Sequence, residues 1–570
     1  MDFTFDITEI PFSARGSWLD LSPVVGLHTV SDDIHLVTHT GGMHPVFRLV
    51  PDGVGDVAAP AVRVTPASLA WVMDGGNVEV TFAHESGVRF RGRGLGLRFV
   101  APDELTPFTG GYLFVDPSDG AITLTSYETG RRYRFTVIAG TPTVLGEQLL
   151  GAGARSVAFG AEEGWEVLVE EIETGAVHRQ VKRDFDAEVE YRHREFDEYH
   201  ESIRGRAPAT VASARAAYVL WSATVAPAGF VQREAILMSK HWMDKVWSWD
   251  HCFNAIALAE SDPQAALDQF LLPFDHQDAV GALPDSLTHS EVLYNFVKPP
   301  IHGWAFAQLR KRSSRAFTDI ELATVYDRLA AWTRFWLDHR VSPGSDLPYY
   351  QHGNDSGWDN STMFDHARVV EAPDLAAFLL LQLDELRLLA EHLGRPALEW
   401  DVAAQSLERA LFDRLWTGEH FIARSVATGE ASSHSSLLTA MPIILGERLP
   451  VDVADALAAS IAEHLTPWGP ATEPPGSAAY EDDGYWRGPI WAPSTFLIEN
   501  GLRRAGHGAL ADDVSRAFRA ACEKSGFAEN FDAVSGAGLR DRAYTWTAST
   551  YLILAADAAA RGSATSSGAE

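Results

Sequence analysis

The chain has 570 residues, 46% hydrophobic and 22% charged, too long for one ordinary domain and rich enough in apolar residues to bury a large core. A net charge of −31 excludes nucleic acid and anionic membrane surfaces as partners. The two cysteines, Cys252 and Cys522, offer neither a disulfide framework nor a zinc spacing.

The first stretch, MDFTFDITEIPFSARGSW, carries acids where a signal peptide would carry bases, and no apolar run is long enough to span a bilayer. A soluble, cytoplasmic protein is expected. Up to about residue 175 the period is that of β-structure. NVEVTFAH (77–84) alternates apolar and polar residues, and 112–139 reads as three strands with turns at Asp116–Gly120 and Glu128–Gly130. An antiparallel β-sandwich over 1–180 follows. Residues 184–203 form a charged, helix-favouring stretch within a linker, 181–206. His193 and His200 there are seven apart, which is no helical ligand spacing, so a solvated helix is expected.

From 207 the period becomes helical. Trp400, Ala404, Leu407, Leu411 and Leu415 recur on one face. Thr318 with Glu321, and Ser261 with Pro263 and Gln264, resemble capping boxes. The pattern predicts helices near 208–224, 247–260, 264–273, 300–311, 318–340, 373–393, 396–415, 435–445, 452–464, 487–504, 507–524 and 544–561. Their connections alternate between roughly twenty to thirty residues and roughly one to six, against a usual two to eight. Six helical hairpins with every long loop on one side describe an (α/α)6 toroid over 207–558, closed at one end and cratered at the other. The tail 559–570 is of low complexity and expected to be disordered.

The long loops share one chemistry. KHWMDKVWSWDH brings Trp247, Trp249 and Asp250 to a helix start, and DSLTHSEVLYNFVKPPIHGW follows in the second loop. GNDSGWDNSTMFD (353–365) sets Trp358 beside Asp359; GYWRGPIW spans 484–491; GFAENFDAVSGAGLRDR holds Glu529 and Asp532. Aromatic rings beside carboxylates, arginine and glycine backbone suit a neutral polyhydroxylated ligand, its C–H face stacked and its hydroxyls bonded. Each feature alone has a plainer explanation: a loop-anchoring Trp, Asp250 favoured by a helix dipole, Arg487 paired with Glu481–Asp483. Five separated loops with the same chemistry outweigh these. Glycosidic hydrolysis needs two carboxyl groups, one protonating the leaving oxygen and the other activating water or attacking the sugar. Asp359, desolvated by Trp358, suits the acid. Glu529 is the candidate partner, with Asp355 and Asp532 behind it.

At these residues the chain resembles glycoside hydrolase family 63 and its clan relatives: processing α-glucosidases, mannosylglycerate and glucosylglycerate hydrolases, and trehalases. The matching segments are VWSWDHCFNAIAL, VKPPIHGWA, SGWDNSTMFD, APDLAAFLL, GYWRGPIWAPSTFLIENGL, AENFDAVSGAG and YTWTAST, in family order between about 231 and 556. The resemblance implies an inverting mechanism with Asp359 as general acid and Glu529 as general base. It implies a glycone pocket of Trp249, Asp250, Gly357, Trp358, Tyr485, Trp486, Arg487 and Trp491, with Trp358 as a wall. The base loop departs from the family where an aromatic beside the glutamate and a proline after the aspartate are usual. No metal and no cofactor are implied.

The expected activity is that of an exo-acting inverting α-glucosidase on a short oligosaccharide or glucoside. The alternatives are a glycosyl-glycerate or α-mannosyl substrate, whose carboxylate Lys245, Lys298 or Arg487 would meet, a phosphorylase on the same toroid, and a non-catalytic carbohydrate-binding scaffold. The loops after 274 and 415 are expected to shape the aglycone side.

Overall fold

A computed structural model describes residues 3–52, 59–102, 110–173, 181–432 and 435–567. Two antiparallel sheets form the N-terminal domain. The first runs in the order Leu19–Gly26, Thr29–Thr38, His44–Asp52, Gly96–Ala101, Arg155–Phe159, Thr143–Leu145. The second runs Ala61–Val64, Leu69–Met73, Gly76–His84, Gly87–Arg93, Trp165–Ile172, Arg132–Ala139, Ile122–Ser126, Gly111–Val115. Strand alternation turns Phe47 and Phe99 of the first sheet onto Phe90 and Phe135 of the second. Edge-to-face contacts of 4.9 Å (Phe90–Phe99) and 5.2 Å (Phe47–Phe135) fill the space between the sheets. The expected domain boundary at 180 lies outside the described residues.

The linker helix is Phe185–Arg204, capped by the Asp184 carboxylate on the Ala187 N–H. It is not solvated all round. Phe185, Phe196, His200 and Ile203 are buried, and His200 Nε2 lies 3.0 Å from the Ser213 hydroxyl. The strong charge of this segment masks its narrow apolar stripe.

Among the described residues, twelve helical segments of eight or more residues follow, in two rings. The inner ring is His251–Leu258, His302–Arg312, Pro373–His392, Leu437–Arg448, Ala492–Arg504 and Thr545–Ser567, each packed on the next and the last on the first. The outer ring is Val211–Ala223, Pro263–Leu271, Asp319–Arg334, Leu398–Leu415, Val451–His464 and Gly508–Ser525. Pro373–His392 is apolar nearly all round, as a helix surrounded by others must be. The closed inner ring defines an (α/α)6 toroid.

Local deviations have local causes. Thr318 and Glu321 form the expected capping box. At the next site Asp262, not Ser261, is the N-cap, its carboxylate accepting from the Ala265 N–H at 3.0 Å. Pro263 fills the first helical position, so the residue before it is the cap. The segment expected as a helix over 435–445 is 3₁₀ and kinked at Gly446, with Pro442 inside it removing one backbone donor. The helix expected from 487 starts at Ala492, because Tyr485 and Gly488 hold positive φ. The last helix continues through 567, where a disordered tail is expected. No described helix is long and apolar enough to cross a membrane.

The long connections 224–250, 272–301, 335–372, 416–436, 465–491 and 526–544 meet one another. Val246–Trp247, Ser286–Leu287 and Val292–Leu293 form one small sheet, and Tyr349–Tyr350, Val370–Glu371 and Arg424–Ser425 another. Ile490 and Phe531 exchange backbone hydrogen bonds of 2.8 and 3.0 Å. This network gives the crater a floor and walls.

Candidate active site

A cavity of about 230 Å³ opens in the crater, lined by Met243, Trp247, Trp249, Asp250, Asp285, Asn295, Phe296, Lys298, Asn354, Gly357, Asp359, Tyr485, Trp486, Tyr544 and Trp546. It is small beside the ~300–1,000 Å³ of drug-sized ligand pockets. A larger cavity, about 470 Å³, lies on the domain seam among Trp18, Arg131, Glu171 and His289. The two differ in how their carboxylates are satisfied. In the seam, Glu171 accepts from Thr38, Thr40 and Tyr133, and Glu173 pairs with Arg131. In and beside the crater cavity, Asp250 Oδ2 and Glu529 Oε1 are buried and accept no hydrogen bond among the described residues. Buried acceptors left unpaired carry a cost that a ligand hydroxyl can relieve.

The acid loop is built around its glycines. A short 3₁₀ turn, Gly353–Ser356, ends at Gly357, whose φ of 74° is left-handed. A side chain at Gly357 would stand 2.6 Å from Trp249 Cζ2, so glycine here allows backbone and indole to touch. Asp355 is a clamp rather than a reacting group. Its carboxylate accepts from the Val297 N–H at 3.1 Å, the Gln351 N–H at 2.8 Å and the Arg340 guanidinium at 2.8 Å. Arg340 follows a π-helical turn, Phe335–His339, that ends the preceding helix. Asp532 is likewise occupied, receiving the Ser535 N–H and hydroxyl within its own turn.

Asp359 keeps 31% of its side chain open to the cavity, with Lys298 Nζ 3.9 Å away. Desolvation raises its proton affinity; Lys298 opposes this and Asp285 adds to it. Burial alone would make Lys298 more acidic, but Asp359, Asp285 and Asp250 together raise its pKa, so it stays a cation. It also donates to the Asn354 carbonyl at 3.0 Å and meets Asp285 at 3.2 Å. Asp250 is pushed up to about 8, first by burial. It begins the helix His251–Leu258 without a side-chain capping bond, which leaves its carboxyl for the cavity.

Glu529 is buried, and Tyr485 is among the groups that act on its carboxyl. Its pKa is pushed up to about 8 by burial first and Asp541 next; Arg540 and Tyr485 work against this, and the field of Asp359 adds to it. Asp359 and Glu529 both act on Tyr485, which lines the cavity with Asp359.

The other expected pocket residues divide. Trp249, Asp250, Gly357, Tyr485 and Trp486 line the cavity. Trp358 does not; it is buried behind Trp486, rings 4.7 Å apart. Trp491 stacks on the same indole at 4.0 Å and 5°. The three indoles are one pile that fixes the orientation of Trp486. Arg487 also points elsewhere. It pairs with Asp365, not the acidic run 481–483, and its Nε donates to the Asn360 carbonyl at 2.8 Å. Asn360 in turn accepts from the Trp486 N–H at 2.9 Å and donates to the Gly484 carbonyl at 3.0 Å, stitching the acid loop to the aromatic loop.

Sequence reasoning overlooks Asp285, Asn295, Asn354, Tyr544 and Trp546 as lining residues. The segments DSLTHSEVLYNFVKPP and YTWTAST contain all but Asn354, yet nothing local says which side chains turn inward. No three His, Cys, Asp or Glu side chains among the described residues are grouped to hold a metal ion.

A sequence model of the mannosylglycerate hydrolase MGH1-like glycoside hydrolase domain matches residues 243–547. A mannosylglycerate hydrolase of Rubrobacter radiotolerans is 24% identical over 404 residues, covering 54% of this chain and 89% of its own. A glucosylglycerate hydrolase of Mycolicibacterium hassiacum is 28% identical over 188 residues, 28% of this chain and 41% of its own. The crystal structure of the family 63 mannosylglycerate hydrolase from Thermus thermophilus in complex with glucose superposes with a TM-score of 0.54 at 21% identity, over 59% of this chain and 98% of that one. A bacterial glucoamylase complexed with acarbose superposes over 98% of this chain and 95% of its own, TM-score 0.59 at 10% identity, so the pairing of β-domain and toroid also occurs there. With the family domain matched over more than half its length, the chain belongs to the MGH1-like glycoside hydrolases.

Proposed function

We propose that this glycoside hydrolase is an exo-acting, inverting α-glycosidase whose substrate is one hexose linked to a small glycerate-type aglycone. The observation that carries the chemistry is the pair Asp359 and Glu529, two carboxyls from separate loops, both with raised proton affinity and both acting on Tyr485. In the reaction Asp359 gives its proton to the glycosidic oxygen as the C1–O bond breaks. A water oxygen bonds to C1 from the opposite face while Glu529 takes its proton. The products are the sugar with inverted anomeric configuration and the free alcohol; Asp359 regains its proton from solvent as Glu529 loses one.

Two features favour a glycerate-type aglycone over the short α-glucosyl oligosaccharide that the sequence suggests. The cavity has room for little beyond one ring. The named relatives are mannosylglycerate and glucosylglycerate hydrolases. Of the cations expected to meet the carboxylate, Arg487 is held by Asp365 and Lys298 by the cavity acids. Lys245, half-buried between the lining residues Met243 and Trp247, is the one we assign to it.

The test is a proton NMR time course with mannosylglycerate, glucosylglycerate, kojibiose, nigerose, isomaltose and trehalose. Consumption of a glycerate glycoside with the β-anomer appearing first is expected. Consumption of a disaccharide while both glycerates persist would return the assignment to a neutral α-glucosidase. Initial release of the α-anomer would overturn inversion, and a rate that rises with added phosphate would indicate a phosphorylase.

A further inference from the structure

Apart from Met243, which lines the cavity, the segment Ser239–Asp244 takes no part in the chemistry proposed above, yet Ser239, Lys240, His241 and Asp244 are buried. It is a tight loop: Met238 N–H donates to the Lys245 carbonyl at 2.9 Å and Ser239 N–H to the Met243 carbonyl at 3.1 Å. One set of its side chains faces the toroid. Ser239 Oγ donates to Asp541 Oδ2 at 2.6 Å, and His241 Nδ1 lies 3.0 Å from Asp541 Oδ1. The other set faces the β-domain. Lys240 Nζ donates to Ser13 Oγ at 2.7 Å and to the Ser17 carbonyl. Asp244 receives His39 Nδ1 at 3.0 Å, while His39 Nε2 meets Asp20 at 2.8 Å.

Asp541 is the point where this loop reaches Glu529. Its carbonyl accepts the Glu529 N–H at 2.7 Å, and its carboxylate accepts from Ser239, His241 and the Ala543 N–H. Every acceptor on this fully buried carboxylate is aimed by a donor from the loop or from its own turn, so its backbone has one place to stand. Resting on the assignment of Glu529 as the base, we propose that Asp541, gripped by Ser239 and His241, is the positioning residue of that base. The β-domain, through Lys240 and the Asp244–His39–Asp20 chain, holds the loop that supplies the grip.

The arrangement does more than hold a loop. The interactions with His241 and Ser239 outweigh burial and keep Asp541 ionised. An anion adjoining the base raises its affinity for the proton it must take from water. The other groups facing Glu529 are Arg540 on the same turn, Tyr485 from the aromatic loop, Asp359 across the cavity and Tyr544 at the start of the last helix.

The test uses full-length chains and two probes, α-mannosyl fluoride and α-glucosyl fluoride. Fluoride leaves without a proton donor, so kcat/KM follows ionisation of the base in a single rising limb. Glu529→Ala should lose at least a thousandfold and regain turnover with azide, yielding the β-glycosyl azide. Asp541→Asn should move the limb down by at least half a pH unit and lower kcat at least tenfold, with KM within twofold. His241→Ala, which leaves Asp541 an anion but loosens its grip, should lower kcat at least tenfold with KM within twofold. His241→Asn, whose amide N–H can stand where Nδ1–H stands, should restore the wild-type rate, and this pair carries the test if Asp541→Asn fails to fold. A wild-type kcat in His241→Ala, or no recovery in His241→Asn, overturns the inference while leaving the base assignment intact. Full activity in Glu529→Ala, or no turnover of either fluoride by the wild type, overturns both.

Discussion

Asp359 and Glu529 both owe their raised proton affinities first to burial, which a buried lysine tempers at Asp359 and a buried aspartate reinforces at Glu529. Activity on O-glycosides needs one of them protonated and the other ionised, so it should trace a bell against pH. Asp359→Asn should lower turnover of an O-glycoside by about 10²–10⁴-fold. Turnover of α-glucosyl fluoride should change far less, and the melting temperature should hold. Equal losses on both substrates would remove Asp359 from the role of acid. Asp359 is legible in the sequence because a carboxylate beside Trp and Gly in a polar loop has few structural uses. The clamp roles of Asp355 and Asp532 are not, since they depend on Arg340, Val297 and Ser535 arriving from the fold.

Between elements, the aromatic and acid loops behave as one piece. The Trp358, Trp486 and Trp491 pile and the Asn360–Arg487–Asp365 stitch bind residues 353–365 to 484–491. We expect Arg487→Ala to fold and to lose up to about 10²-fold in kcat, because misplacing a reacting group by an ångström costs that much. The measurement is kcat beside protease nicking of 353–365, which should become faster. An unchanged kcat would restrict Arg487 to the surface. The indole pile shows where local reasoning stops: all three tryptophans sit in loops of the same character, and only one meets the ligand space. Helix starts were easier to read. Thr318 with Glu321 caps as the pattern says, and Asp262 rather than Ser261 caps the next site because Pro263 fills the first helical position.

For the whole molecule, the seam between β-domain and toroid carries its own ionisable centre. His39 presents one ring nitrogen to Asp20 and the other to Asp244. With carboxylates on both sides, both nitrogens must donate, so the ring is a cation. Burial opposes this, but the two carboxylates prevail and raise the pKa to about 9 from its ordinary value. A folded pKa above the unfolded one stabilises fully below the unfolded value of about 6.5, and the stabilisation is lost as pH rises through about 9. Removal of this centre in His39→Gln should cost ~3 kcal/mol at pH 6 and markedly less at pH 10. Denaturation of both proteins at the two pH values checks it; a difference that grows with pH would contradict the assignment.

Periodicity and capping are local properties, written within a turn or two of chain. The sequence by itself therefore determined a strand-rich first part, a helical second part and the alternation of short and long loops from which a toroid follows. It also determined that the long loops carry acids and rings together. Only the tertiary structure decided which of these meet. Lys298 among Asp250, Asp285 and Asp359, Trp358 behind Trp486, Arg487 on Asp365, and Asp541 between His241 and Glu529 all join residues from different loops. Distances across separate loops are set by the closure of the helical ring, and no local pattern in the chain encodes them.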